Sequence, residues 1–82
     1  MAKNFKTKFE LEVIHLIREK RIELNLSQDD IAFYLNVTRG FIGQIESPKN
    51  PAKYNLNHIA ILAGEFGCSP QDLIPKDLNS KK

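Results

Sequence analysis

The stretch from Ser27 to Glu46, SQDDIAFYLNVTRGFIGQIE, constrains the fold more than any other part of the chain. It holds two short segments with apolar residues at helical spacing: Ile31, Ala32 and Leu35, then Ile42 and Ile45. Only Asn36, Val37 and Thr38 separate them. Ser27 is a suitable N-cap for the first segment, and Asp30 completes a capping-box-like pair with it. Asp29 and Asp30 also suit the positive end of that helix's dipole. Asn36 is one of the few non-glycine residues that tolerate a left-handed conformation, so the first helix closes there. Val37 then reads as a buried turn residue, and Thr38 caps a second helix over Arg39 to Glu46. Pro48 biases Ser47 away from helical angles and keeps that helix short. Two helices joined by so tight a turn pack at a steep angle, and Ala32 supplies the small side chain where they approach.

The rest of the chain supplies a frame for this pair. Residues 9–25 carry Val13, Ile14, Leu16, Ile17 and Leu24 at helical spacing, with no proline or glycine. Residues 47–55 contain two prolines and two asparagines and read as a loop. A fourth helix is predicted from Leu56 to Phe66, stopped by Gly67. Ser69 as N-cap and Pro70 at the first helical position predict a short fifth helix to Ile74. The expected architecture is all-α with five helices. A basic arm is expected over residues 1–8, one domain over 9–75 and a polar tail over 76–82. With 82 residues the chain suffices for one compact domain. Its 41% hydrophobic and 27% charged residues lie away from disorder. No apolar run approaches the roughly 18 residues of a membrane helix, and the basic start lacks the apolar stretch of a secretory signal. The single cysteine, Cys68, excludes an internal disulfide and fits a reducing compartment, so a cytoplasmic location is expected.

Net charge is +2, too mild by itself to point to nucleic acid. Residues 38–53 nonetheless carry Arg39, Lys49 and Lys53 against the single acid Glu46. The arm carries Lys3, Lys6 and Lys8 with no acid, and either reaches phosphate or is frayed. Nothing suggests an enzyme. His15 and His58 lie on different predicted helices, and with one cysteine they have no zinc spacing. No serine, histidine and carboxylate trio and no glycine-rich phosphate loop occurs, so neither metal nor cofactor is expected. His15 reads as a partly buried helix residue, His58 as lying near the surface of the fourth helix, and Cys68 as a small hydrophobe beside a cap. Arg21 falls in the apolar stripe of the first helix, and Glu46 follows Ile45 on the inward side of the third. Opposite charges on two inward faces are tolerated mainly when they pair, which predicts a structural Arg21–Glu46 salt bridge.

Arg21, Leu26-Ser27-Gln28, Ile31-Ala32, Val37-Thr38-Arg39, Ile42, Ile45-Glu46, Ile59-Ala60 and Leu73 occur in an order that resembles the phage-repressor or Cro-like helix-turn-helix family, also called the xenobiotic-response-element family. The resemblance runs from Arg18 to Ile74, and implies the Arg21–Glu46 pair as well. Two positions depart from the pattern. Asn36 stands where glycine is frequent, and Pro48 stands where glycine usually follows the glutamate, so the loop after the third helix is expected to take another path.

The resemblance implies that the third helix docks in the major groove of duplex DNA. Arg39, Gly40, Gly43 and Gln44 would then face the bases, with Arg39 suited to guanine and Gln44 to adenine. Gly40 and Gly43 either allow close approach of the helix backbone to the groove or are simply tolerated. Phe41 either packs inward or meets a thymine methyl. Ser27, Gln28 and Thr38 match positions near phosphate, while Lys49, Asn50 and Lys53 either contact the backbone or are solvated. The family further implies a homodimer on a palindromic operator, with the dimer surface around the loop after the third helix and Leu73 and Ile74. The expected function is that of a sequence-specific transcriptional regulator, a repressor. The alternative is a protein-interaction or antitoxin-like module that uses the same fold to hold a partner protein.

Overall fold

The computed structural model describes residues 6–76. Four α-helices follow one another: α1 (Lys8–Glu23), α2 (Gln28–Leu35), α3 (Arg39–Glu46) and α4 (Leu56–Phe66). A terminal 3-10 helix covers Pro70–Leu73, so the fifth helix expected from sequence is a tighter, shorter turn. Lys3 and most of the C-terminal tail lie outside the described residues.

The helix starts are set by side chains. Thr7, Ser27, Asn55 and Ser69 each accept from a backbone N–H inside the helix they open. The residue at the third helical position returns the bond to the cap in each case. Thr38 caps α3 alone, its hydroxyl accepting from the Phe41 N–H at 3.1 Å. Three helices also end alike. Asn25, Asn36 and Gly67 are left-handed, with φ of 62°, 58° and 74°. Behind them Leu26, Val37 and Cys68 donate back to the carbonyls of Arg21, Ala32 and Ala63 at 2.9, 3.0 and 2.9 Å. All three donors are apolar residues that pack on the core.

That motif corrects the end of α1. The helix stops at Glu23 because Asn25 turns left-handed, and Leu24, expected inward, is 42% exposed. Leu26 takes the place beside the core that was expected for Leu24. His15 is likewise exposed rather than partly buried, 3.3 Å from Glu19 one turn on. Phe41 packs against the core, its ring edge-on to His58 with centroids 6.3 Å apart.

Ile17, Ile31, Ile42, Ile45, Leu62 and Leu73 form the fully buried centre. Each described element except the connecting loops contributes at least one of them, so α3 is held from behind by residues of α1, α2 and α4. Ala32 is buried at the α2–α3 approach. Leu73 is 1% exposed. It closes the core, which removes it from the dimer surface expected there, and Ile74 is half-buried.

His58 gives the fold a pH dependence. Its Nδ1 accepts from the Asn55 N–H at 3.1 Å, which requires that nitrogen to be unprotonated. Burial pushes its pKa down from the usual 6.5. The folded state therefore binds the proton less readily than the unfolded chain. The contribution of His58 is complete above the unfolded value and is lost as pH falls through the lower folded one. Urea unfolding at about pH 7.5 and about pH 5 should show the native chain losing more stability than His58→Glu, because glutamate at this position keeps the cap and suits the helix dipole. Equal losses would contradict this role.

Candidate nucleic-acid interface

Ile42 and Ile45 anchor α3, and Glu46 locks its end. The Glu46 carboxylate accepts from Arg21 at both oxygens, Nε to Oε2 and Nη2 to Oε1, each at 3.1 Å. Gln28 Nε2 donates to Oε1 at 3.0 Å, and Arg18 Nε stands 3.7 Å from the same oxygen. Arg21 Nη1 donates to the Leu26 carbonyl at 3.0 Å. Side-chain exposure is 12% for Arg21 and 7% for Glu46, so the charged groups are largely shielded from solvent and nearly saturated with partners. One carboxylate thus ties α1, the start of α2 and the end of α3 together. The phenol of Tyr54 is buried nearby, and desolvation, with the Glu46 charge second, pushes its pKa up.

With its back held this way, α3 turns Arg39, Gly40 and Gln44 outward, and Gly43 is half-exposed beside them. Arg39 Nε lies 3.7 Å from Asp29 Oδ1, both side chains well exposed. Such a pair contributes roughly 0–1 kcal/mol and leaves Arg39 available to an anion or a base edge. Neither Gly40 nor Gly43 has a positive φ. A Cβ on Gly40 would meet Thr38 Oγ1 at 3.9 Å, and one on Gly43 would meet Gln28 Oε1 at 3.9 Å, both ordinary contacts. The fold itself requires glycine at neither position.

The residues expected near phosphate divide into two groups. Ser27, Thr38 and Lys49 are exposed around the starts of α2 and α3 and beyond the end of α3. Ser27 and Thr38 also serve as caps. Gln28 is half-buried and gives one amide N–H to Glu46. Asn50 folds back on its own loop, its Oδ1 accepting from the Ala52 N–H at 2.9 Å. Lys53 Nζ is 3.0 Å from each Glu10 carboxylate oxygen, joining the loop to the first turn of α1. Lys6 departs furthest from expectation. It is neither frayed nor exposed: it is 4% exposed and donates to carbonyls at the end of α3. Its place could not be read from local sequence, because its partners lie 38 to 41 residues away.

Among the described residues no helix is long and apolar enough to cross a membrane, and no cluster of histidine, cysteine and acidic side chains could hold a metal.

The helix-turn-helix family model matches residues 17–73, and the chain belongs to that family, the phage-repressor or Cro-like class of DNA-binding regulators. Among solved structures it is similar to the restriction-modification controller protein C.AhdI from Aeromonas hydrophila. The two share 26% identity and superpose with a TM-score of 0.66, over 78% of this chain and 94% of the controller. No curated protein matches the chain.

Proposed function

We propose that this chain represses transcription by docking α3 in the major groove of duplex DNA, two copies binding a palindromic operator. The observation that carries the reading is the division of α3 into two faces. One is fixed by Ile42, Ile45 and the Glu46 network, and the other presents Arg39, Gly40 and Gln44 to solvent. Likeness to a restriction-modification controller supports a regulatory role. Arg39 pairs with guanine and Gln44 with adenine, each discriminating by about 1–3 kcal/mol. Gly40 and Gly43 bring the backbone of α3 close to the groove. Ser27, Thr38 and Lys49 contact phosphate around it, and Gln28 reaches phosphate only through atoms not engaged by Glu46. Asn50 and Lys53 serve the loop instead. Two copies are required because so few base-reading side chains specify little sequence in one half-site, and linked binding multiplies affinity and specificity.

Selection from random duplex DNA with the native chain and with Arg39→Ala tests this. The native chain should enrich an inverted repeat with half-sites about one helical turn apart. Arg39→Ala should lose preference at one position of each half-site, by about 1–3 kcal/mol, with the fold unchanged. An unaltered preference at every position would remove Arg39 from base reading.

A further inference from the structure

Among the described residues, α3 is the one α-helix not followed by a left-handed residue. Ser47 is extended, with φ of −87° and ψ of 122°. Pro48, next in the chain, has no N–H to return to the helix and cannot adopt positive φ. The end of α3 therefore lacks the long-reaching backbone bond that Leu26, Val37 and Cys68 make to the other three helices: the Gln44 and Ser47 carbonyls accept only from the N–H groups of Ser47 and Asn50, each at 3.2 Å, and no such donor reaches the Ile45 carbonyl. Without a further donor the Ile45 carbonyl would be an acceptor without a partner at the helix end.

Lys6 supplies the missing donor and reinforces the two carbonyls beside it. Its Nζ donates to the carbonyls of Ile45 and Ser47 and, at 3.4 Å, to that of Gln44. An ammonium has three N–H groups, and here three acceptors surround it. The positive charge also lies at the negative end of the helix dipole. The residue comes from the start of the domain's sequence, just before Thr7 opens α1. Its bonds therefore tie the start of α1 to the end of α3, a second link beside the Arg21–Glu46 pair.

We propose that Lys6 is a positioning residue for DNA recognition: it closes the C-terminal end of α3 in place of a left-handed cap and fixes the angle at which Arg39 and Gln44 are presented. The functional half rests on the DNA-binding reading above. A direct phosphate contact by Lys6 is disfavoured by its burial and by the commitment of its N–H groups to protein carbonyls.

The test uses the full chain with Lys6→Met and Lys6→Arg, at a temperature where circular dichroism shows each fully folded. Lys6→Gln, which retains two donors, replaces the methionine variant if that one does not fold. Amide hydrogen exchange and affinity for the selected duplex at several salt concentrations are then compared with the native chain. In Lys6→Met, exchange at Glu46 and Ser47 should quicken about tenfold while Leu26, Val37 and Cys68 are unchanged. DNA affinity should fall about tenfold with the salt slope retained, and Lys6→Arg should restore most of both. Unchanged exchange would overturn the capping role. Quickened exchange with unchanged affinity would overturn the positioning role. A loss of affinity that takes about 0.9 from the salt slope would make Lys6 a phosphate contact instead. If the native chain binds no duplex, the DNA-binding reading and the functional half fall together, and exchange at Glu46 and Ser47 alone decides whether Lys6 is the cap.

Discussion

Glu46→Ala is expected to lower the unfolding free energy by about 3–5 kcal/mol, the scale seen when one partner of a buried ion pair is removed. The reason is the number of groups left without an acceptor. Arg21 would keep only the Leu26 carbonyl, Gln28 would lose its bond, and Arg18 its neighbour. Folded domains have about 5–15 kcal/mol of stability in all, so the variant would lose a large share of it. Replacing both charges with apolar residues of similar volume, as in Arg21→Met with Glu46→Leu, should recover much of the loss, because no uncompensated charge remains buried. Urea titration followed by circular dichroism reads both. A loss below about 1 kcal/mol for Glu46→Ala would mean the pair behaves as a solvated surface contact.

Alanine at both Gly40 and Gly43 should have opposite effects on stability and on binding. Glycine in a helix interior costs up to about 1 kcal/mol relative to alanine, and both positions have room for a Cβ. The double variant is therefore expected to be more stable by about 1–2 kcal/mol. Its affinity for the selected duplex should nevertheless fall, by about tenfold for each methyl placed between the helix backbone and the groove. Thermal unfolding and fluorescence anisotropy measured on the same preparation separate the two effects. Higher stability with unchanged affinity would show that the glycines are merely tolerated, and α3 would then stand further from the bases than proposed.

What the sequence makes legible here is what local chemistry decides. Ser27 with Asp30, Thr38, Asn36 and Gly67 fix helix ends through their own backbone or the next turn, and each does so where the spacing places it. Arg21 and Glu46 were legible for another reason: a charge in an apolar stripe needs a partner, and these two were of opposite sign. Asn25 carried the same left-handed signal as Asn36, yet the apolar Leu24 beside it suggested one more helical turn. Leu73 was legible as apolar but not as core, since its burial depends on how the terminal 3-10 helix folds back on α4 and α1. Lys6 was least legible. Pro48 announces that α3 lacks a left-handed cap, but only the tertiary approach of the segment before α1 reveals which cation stands in for it.

Binding of duplex DNA by the exposed face of α3 carries a specific dependence on salt. Affinity of the native chain for the selected duplex, measured from about 50 to about 200 mM salt, tests it most directly. Neutralised phosphates release counterions, so log K should fall linearly with log salt, with a slope of about −0.9 for each phosphate contacted. Binding that ignores both salt and sequence, or no binding to any duplex, would contradict the account and leave α3 as a surface for a partner protein.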